Sequence, residues 1–257
     1  RKDLILTANN ATPFYSYSCF DYYSNYRSVV AYNWDIQILK NVQYLNLIYT
    51  SHQIGRELNL VIDGGKLQTS IKLEQGEKSA LPVKKNSIRF GEIYIYGPGS
   101  GSFDAPVDQY RLLSSRLKPE TREGEIATSI LSSYYLVQEI ESDKTQEALF
   151  DIRSGNGIEI VLNGETVLKH LNNYRCQSRD EKVLLSLKKG KNEIIIRYYN
   201  RFEKNMPWKF TLSDEQEIYT QSIHFPLGKG LHNITIRPLH PASTHADIEL
   251  SDFRLAF

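Results

Sequence analysis

The densest group of residues suited to ligand recognition lies near the start of the sequence, from Phe14 to Arg27. It combines aromatic rings with asparagine, aspartate and arginine side chains, and its candidate contact residues are Tyr22, Tyr23, Tyr26 and Arg27. A sugar presents C–H faces that stack on aromatic rings and hydroxyls that bond to polar side chains. The cluster therefore predicts a glycan platform on a loop. The alternative is that these rings pack a strand or dock against a catalytic domain.

A second group of candidate contact residues lies in the later half of the chain. Asn172, Asn173, Tyr174 and Arg175 form a polar stretch with one aromatic ring, and Trp208 follows a methionine and a proline. An indole exposed on a loop stacks well on a sugar, whereas a tryptophan within a strand is usually part of the core. These residues predict a second glycan contact, with burial of Trp208 as the alternative.

The acidic residues do not single out a catalytic pair. A retaining glycosidase places two carboxylates about 5 Å apart, but spacing along this sequence selects no two of its 30 Asp and Glu residues. Asp21, Asp151, Asp247 and Asp252 lie near strand ends, where turns and solvation account for an acid. We therefore predict no catalytic residue.

The histidines gather toward the end of the chain without forming a recognisable metal site. His224, His232, His240 and His245 have neither HxH nor HExxH spacing, and prolines separate them. Calcium is favoured over zinc because it binds through loop carboxylates and carbonyls, although the sequence has no DxDxDG loop. We predict no cofactor and leave a structural calcium ion open.

The charge balance narrows the choice of partner. Lys and Arg total 31 against 30 Asp and Glu, so no long-range field attracts a polyanion, which argues against nucleic acid and an anionic membrane surface. No apolar run approaches the roughly 20 residues of a membrane helix, so membrane insertion is not predicted. The composition favours an uncharged or small partner.

The elements that must position these residues are predicted to be β-strands. Short segments alternate apolar with polar residues or are rich in β-branched residues, and Gly and Asn turns separate them. Antiparallel sheets with one solvated face produce this pattern. The predicted strands are Asp35 to Leu39, Gln43 to Tyr49, Leu58 to Ile62, Ile158 to Leu162, Val183 to Leu187, Asn192 to Tyr198, Ile234 to Arg237 and Ile248 to Leu255. The fold class is therefore all-β, with two antiparallel sandwiches.

The strand count suggests that the second sandwich is inserted in the first. The first segment supplies few strands, while the last residues supply more after the second unit is complete. We therefore expect residues 1–96 plus 213–257 to form one sandwich and residues 123–212 the other. Residues 97–122, rich in Gly, Pro and Ser, are expected to connect them. The alternative is two consecutive sandwiches.

A family resemblance is carried by Ile158 to Phe202, which reads LNGE after a strand, then KHLNNYR, then LLSLKKGKNEIIIRYYNRF. This order resembles the accessory galactose-binding-like sandwiches of bacterial glycoside hydrolases, most closely those that follow the catalytic barrel in family 29 α-L-fucosidases from gut bacteria. Trp34 to Gly64 is similar to their strand and turn run, although Lys40-Asn41-Val42 stands where a glycine is expected. Ile223 to Phe257, with FPLGKGLHNITIRPL, is similar to their closing strands.

The resemblance implies galactose-binding-like jelly-roll domains attached to the catalytic domain of a parent hydrolase. It also implies a bacterial protein that is periplasmic, on the cell surface or secreted. A family 29 catalytic barrel needs about 250 residues of alternating strands and helices, and that pattern is not present in this sequence. The chain is therefore expected to be a non-catalytic part of the enzyme.

Three functions remain open at this point. The first is a carbohydrate-binding region that holds an enzyme near its glycan. The second is a structural brace of a catalytic barrel without sugar affinity, which predicts exposed apolar surface on this chain. The third is a small jelly-roll hydrolase, ranked last because no acid pair or triad can be recognised.

Overall fold

The computed structural model describes residues 4–7, 10–18, 26–84, 86–102, 104–171, 179–201, 203–239 and 252–257. Nearly all regular structure within these residues is β-strand, and the strands form antiparallel sheets. Short 3₁₀ turns lie at Ser51–Gln53, Asp63–Gly65 and Val107–Leu112. The all-β sandwich prediction is confirmed.

The strands are numbered in chain order. They are β1 (Ile5–Thr7), β2 (Thr12–Ser18), β3 (Tyr26–Ile38), β4 (Val42–Tyr49), β5 (Glu57–Ile62), β6 (Leu67–Lys72), β7 (Glu77–Ala80), β8 (Ile88–Gly99), β9 (Arg116–Leu117), β10 (Glu123–Ala127), β11 (Ser132–Ser142), β12 (Gln146–Ser154), β13 (Gly157–Leu162), β14 (Glu165–Leu171), β15 (Arg179–Leu187), β16 (Gly190–Asn200), β17 (Asn205–Leu212), β18 (Glu217–Leu227), β19 (Gly230–Pro238) and β20 (Arg254–Ala256). The described part of the chain contains no apolar helix of membrane-spanning length.

The chain divides into two units, and the second is inserted in the first. Unit 1 consists of residues 1–80 and 217–257, and unit 2 of residues 81–216. The strands β18, β19 and β20 near the end of the chain belong to the sheets of unit 1. Of the predicted last strand, Ile248 to Leu255, only residues 252–255 are described, and β20 begins at Arg254.

Unit 1 is a sandwich of two sheets. Within the described residues, sheet I has the strand order β1-β20-β4-β18-β7 and sheet II the order β2-β3-β19-β5-β6. Alternate side chains of both sheets form one buried cluster, as Leu45 and Leu47 of β4 with Leu60 and Ile62 of β5 illustrate. The residues between them along each strand face away from this core.

Unit 2 is built in the same way. Sheet III has the order β10-β17-β12-β15, and sheet IV, over the part of the chain that is described, has the order β14-β13-β16-β11-β8-β9. Met206, Trp208 and Phe210 of β17 belong to the same buried cluster as Ile194 and Ile196 of β16. As the sequence pattern predicts, alternate apolar side chains from both sheets form this core.

The strand β8 lies in unit 2, whereas the sequence analysis had assigned residues up to 96 to the first sandwich. It pairs with β11 from Ser142 opposite Ile88 to Ser133 opposite Gly99, with two register shifts. Alternation shows that a strand has one buried face, but it does not show which sheet the strand joins. The pairing of β8 with β11 places it in sheet IV of unit 2.

The segment that the sequence analysis treated as an interdomain connection, residues 97–122, also lies inside unit 2. Residues 100–102 and 104–113, which we call the cover segment, pack on the face of sheet IV that points away from the main core. Tyr110 of this segment belongs to a small buried cluster with Tyr135 and Val161 of the sheet. The Gly, Pro and Ser content indicated irregular backbone correctly, but it did not reveal that this backbone packs on a sheet.

A buried ion pair lies beneath the cover segment. Arg197 and Glu159 are 0% and 7% exposed, and Nη2 of Arg197 lies 2.9 Å from Oε2 of Glu159. Nη1 of Arg197 donates to the carbonyl oxygen of Ala105 in the cover segment. Nζ of Lys169 lies 3.7 Å from the same Glu159 oxygen. The guanidinium group therefore links β13, β16 and the cover segment.

A buried carboxyl group lies in unit 1. Asp252 is 2% exposed and accepts hydrogen bonds from Oγ1 of Thr50 and Nε2 of Gln53. Burial raises the pKa of the Asp252 carboxyl, and the two hydrogen bonds and the charges of His52 and Arg56 only partly oppose that rise. The loop before β20 is therefore tied to the turn after β4 by a carboxyl group that folding favours in its neutral form.

The ion pair gives a first prediction. Glu159→Gln should lower the free energy of unfolding by about 3 to 5 kcal/mol, because it removes the carboxylate that faces the buried Arg197 guanidinium. Arg197→Met should also be destabilising, but less so, because Nζ of Lys169 lies 3.7 Å from the remaining Glu159 carboxylate. Chemical denaturation measures the loss. The control is Arg89→Met, in an ion pair with Glu141 on the same sheet whose side chains are 76% and 46% exposed. It should cost no more than about 1 kcal/mol, and equal losses would contradict the assignment.

The buried carboxyl gives a second prediction. Since the folded-state pKa of Asp252 is raised, its stabilising contribution is complete below the unfolded-state pKa and is lost as pH rises through the folded-state pKa. The unfolding free energy of Asp252→Asn, minus that of the wild type, should therefore increase as pH rises from about 3 to 7. Urea denaturation across this range measures the difference. Glu77→Gln, at an exposed position of β7, is the control, and a pH-independent difference for Asp252→Asn would contradict the mechanism.

Candidate functional site

One end of the unit 2 sandwich gathers several loops around the turn between β12 and β13. Gly157 of this turn pairs with Leu171, the last residue of β14, and Ser154 pairs with Arg179, the first residue of β15. β14 therefore ends, and β15 begins, beside this turn. The predicted contact residues 172–175 lie in the sequence between these two strands. We call the described loops here, residues 97–102, 127–132, 154–157, 200–201 and 203–205, the loop end.

Asn200 holds two of these loops together. It is fully buried, and its Nδ2 donates to Oγ1 of Thr128 at 2.8 Å and lies 2.7 and 2.8 Å from the carbonyl oxygens of Ser129 and Glu203. Its Oδ1 accepts from the amide of Glu203 at 3.0 Å. A buried amide with all its bonds made fixes the backbone around it, so the loop end has a defined shape without a ligand.

The Glu203 carboxyl is a second polar group of the loop end. It lies in the connection between β16 and β17 and contacts the turn at Gly155. Oε2 of Glu203 is buried and has no hydrogen-bond partner among the described residues. Burial, and to a smaller extent the charge of Glu125, raises the pKa of this carboxyl. A Cβ at Gly155 would lie 3.0 Å from that oxygen, so glycine lets the turn approach closely. Glu203 is therefore a partly buried carboxyl with a raised pKa beside the Gly155 turn.

A groove opens beside the loop end, where the two sheets of the sandwich part. It lies between β9, the edge of sheet IV, and β10, the edge of sheet III. Its volume is about 420 Å³, within the range of about 300 to 1,000 Å³ typical of ligand sites. It is lined by Ile95, Gly97, Pro98, Ser115, Leu117, Ile126, Ala127, Thr128, Ser129 and Tyr134. These residues combine apolar carbon with hydroxyl groups, and none of them carries a charged side chain.

Two contacts of the lining fix the shape of the groove. The Tyr134 hydroxyl accepts a hydrogen bond of 2.8 Å from the amide of Ser129. The Tyr134 ring lies so near Gly97 that a Cβ there would be 2.4 Å from it. Similarly, a Cβ at Gly101 would lie 2.0 Å from the carbonyl oxygen of Leu131. The glycines of the 97–101 run therefore allow the groove wall to pack closely, a role that the sequence analysis missed when it treated the run as a linker.

Among the predicted contact residues, the structure describes Tyr26, Arg27 and Trp208. Tyr22, Tyr23 and the Asn172, Asn173, Tyr174 and Arg175 set lie outside the described residues. Tyr26 and Arg27 lie in β3, where their backbones pair with Ser18 and Tyr17 of β2. The predicted platform residues 22–27 therefore belong to the connection between β2 and β3 and to the start of β3.

Trp208 is a core residue. It lies on β17 opposite Gly124 and is 2% exposed. Because side chains alternate along a strand, Met206, Trp208 and Phe210 all point inward. Its ring is not accessible for stacking on a sugar, which corrects the expectation that it forms a ligand platform.

The described residues contain no cluster of three or more His, Cys, Asp or Glu side chains arranged to hold a metal ion. His232 is instead engaged by Asp63, whose Oδ2 lies 2.9 Å from its Nδ1, and by the carbonyl oxygen of Gly228 at 2.9 Å from its Nε2. The Asp63 contact, followed by the Gly228 contact, raises the pKa of His232. This histidine therefore ties two turns of unit 1 together.

No family model matches this sequence, and no curated protein matches it. Among solved structures, it is similar to an anti-sigma factor domain-containing protein from Clostridium clariflavum, with 12% identity, 89% of each chain covered and a TM-score of 0.33. The PA14 domain of an antifreeze protein has 14% identity and a TM-score of 0.33, covering 51% of this chain and 85% of that one. A Kluyveromyces marxianus β-glucosidase solved with glucose has 11% identity and a TM-score of 0.29. The match covers 52% of this chain and spans only 15% of the glucosidase. Likenesses at this level do not identify a family or a ligand.

The close approach at Gly97 gives a third prediction. Gly97→Ala should lower the stability of unit 2 by about 1 to 3 kcal/mol, because the new methyl group overlaps the Tyr134 ring and forces it to move. Thermal unfolding monitored by tyrosine near-ultraviolet circular dichroism would measure it. Gly228→Ala, where nothing lies within 4 Å, is the control. An unchanged melting curve for Gly97→Ala would show that the groove wall is not packed as described.

Proposed function

We propose that this chain is a non-catalytic, carbohydrate-binding region of a glycoside hydrolase, and that the groove and loop end of unit 2 contact the glycan. The parent enzyme is proposed to be a bacterial, secreted or cell-surface α-L-fucosidase, on the resemblance carried by Ile158 to Phe202. In this role the chain raises the effective concentration of the enzyme at its substrate and performs no chemistry itself.

The observation that carries the proposal is the chemistry of the groove lining. Leu117, Ile126 and Pro98 supply apolar carbon, and Ser115 and Ser129 supply hydroxyl groups. A sugar ring has the same combination, with C–H faces that are released from water on an apolar wall and hydroxyls that exchange water for protein hydrogen bonds. The ten lining residues carry no charged side chain, which favours a neutral ligand over an anionic one.

We propose that the predicted contact residues 172–175 extend this site. The connection that contains Asn172, Asn173, Tyr174 and Arg175 starts and finishes beside the Ser154 to Gly157 turn. We propose that these side chains bind sugar hydroxyls at the loop end. The tyrosine-rich group Tyr22, Tyr23, Tyr26 and Arg27 is proposed as a separate contact on unit 1, at the connection between β2 and β3.

A structural brace is the second candidate, and one observation favours it. Leu112, Leu117, Ile130 and Leu131 of unit 2 are 84%, 50%, 60% and 46% exposed. Exposed apolar side chains of this size are typical of surfaces that pack against another domain. A brace and a binding region differ in one measurable property, which is saturable affinity for a glycan.

The groove gives a fourth prediction. Ala127 is exposed and lines the groove, so Ala127→Trp should fill the space that the ligand needs. We expect saturable binding of fucosylated or galactosylated oligosaccharides to the wild-type chain, weakened about tenfold or more in this variant, measured by isothermal titration calorimetry. Ala80→Trp, at an exposed position of β7 in unit 1, is the matched control and should bind as the wild type does.

Two outcomes would contradict the proposed function. Absence of saturable binding by the wild-type chain to either class of oligosaccharide would favour the brace. Hydrolysis of an aryl fucoside by the chain, lost in Glu203→Gln, would favour a hydrolase with Glu203 as its acid. Circular dichroism of Ala127→Trp separates loss of the groove from loss of the fold.

A further inference from the structure

An aromatic pair lies on the solvent face of sheet I in unit 1. Tyr44 of β4 and His224 of β18 are direct cross-strand partners. Their ring centroids are 5.4 Å apart and their planes are inclined by 68°, so one ring meets the other edge-on. The Tyr44 side chain is 58% exposed, while Tyr49 of the same strand is fully buried. Tyr44 therefore stands on the face of the sheet opposite the core.

Polar side chains continue this face along the same two strands. Asn46 lies opposite Ser222, and the Ser222 hydroxyl donates to Oδ1 of Asn46 at 2.6 Å. The next pair along the face is Ile48 opposite Thr220. Successive pairs on one face are about 6.8 Å apart. We call the three pairs at Tyr44, Asn46 and Ile48 the sheet I row.

The geometry of the row is suited to stacking a ligand ring on the Tyr44 side chain. The edge-on contact with His224 restrains the Tyr44 ring, so less side-chain entropy is lost when a ligand stacks on it. The hydrogen bond from Ser222 orients the Asn46 amide. A register shift between β18 and β4 begins directly after His224, and such irregularities often aim a side chain at a ligand. The row thus combines an oriented ring with oriented hydrogen-bonding groups.

The composition of the row indicates the class of ligand. None of its six residues is Asp, Glu, Lys or Arg. The charges that flank it on this face are Arg254, opposite Ile48, and Glu77, opposite Thr220. Because these two charges have opposite signs, the face carries no net charge that would select an ion. An open strand face without walls fits an extended chain better than a single small molecule, which a groove encloses more completely. A neutral oligosaccharide offers apolar ring faces at intervals with hydroxyls between them.

We propose that the sheet I row is a second carbohydrate site, distinct from the unit 2 groove, that takes a neutral, extended glycan. One sugar ring stacks on Tyr44, and its neighbour along the chain hydrogen-bonds to Asn46, Ser222 and Thr220. This inference rests on the proposed carbohydrate-binding function, but it uses a different unit and different residues, so the row can fail while the proposed function stands.

The test measures the row after the groove has been blocked. In the Ala127→Trp background, titration with a fucosylated tetrasaccharide and a galactosylated tetrasaccharide should show remaining saturable binding. Adding Tyr44→Ala should weaken it about tenfold, a loss of ~1.4 kcal/mol. Tyr44→Phe keeps the ring and should bind within about threefold of the background. Leu231→Ala, exposed on sheet II at 78%, is the matched control for truncating a surface side chain.

The outcomes separate this inference from the proposed function. If the wild-type chain binds an oligosaccharide but the Ala127→Trp chain does not, the groove is supported as a glycan site and the sheet I row is overturned. Unchanged binding on adding Tyr44→Ala also overturns the row while leaving the proposed function intact. If neither chain binds any oligosaccharide, the proposed function fails together with the row. Tyrosine resonances of Tyr44 that shift on titration, and are unaffected by the groove variant, would support the row directly.

Discussion

The burial of alternate side chains between two antiparallel sheets is the constraint on which the rest of this protein depends. In each unit one face of every main strand supplies the core, as Met206, Trp208 and Phe210 do on β17. Removing this apolar surface from water is the main favourable contribution to folding. The opposite faces and the strand ends are then free to vary, because they contribute little to the core. The residues of the sheet I row lie on such a face, whereas the groove is lined in part by Ile95, Ile126 and Tyr134 of the core cluster.

Unit 2 departs from the simple sandwich by burying part of an outward face as well. The cover segment packs Tyr110 on Tyr135, and it encloses the Arg197 and Glu159 ion pair. Removing both charges from water costs free energy, which their mutual attraction and the bond to a backbone carbonyl offset. A consequence is that the cover segment has one preferred position on sheet IV. Gly97 and Pro98, which precede the cover segment at the end of β8, line the groove.

The two proposed carbohydrate sites use different solutions to the same physical problem. A sugar must exchange strong hydrogen bonds with water for protein bonds of similar strength, so affinity depends on apolar contact and on groups that are already in place. The groove encloses part of a ligand between apolar side chains and hydroxyl groups. Backbone contacts hold these hydroxyls in place, as the Ser129 amide does by donating to the Tyr134 hydroxyl. The sheet I row supplies a single oriented ring on an open surface. For the proposed role of keeping an enzyme near a polymer, modest affinity at each site would be sufficient.

The sequence alone determined the class of fold, because a repeat of two residues with Gly and Asn turns is compatible only with half-buried antiparallel strands. It also indicated the insertion of one sandwich in the other. Only the tertiary structure decided which sheet β8 joins, that the 97–122 stretch packs on a sheet, and that Trp208 is buried. It alone brought Tyr44 next to His224 and formed the groove between β9 and β10. These features depend on strand register and on contacts between residues distant in the chain, and alternation is equally satisfied by many such pairings.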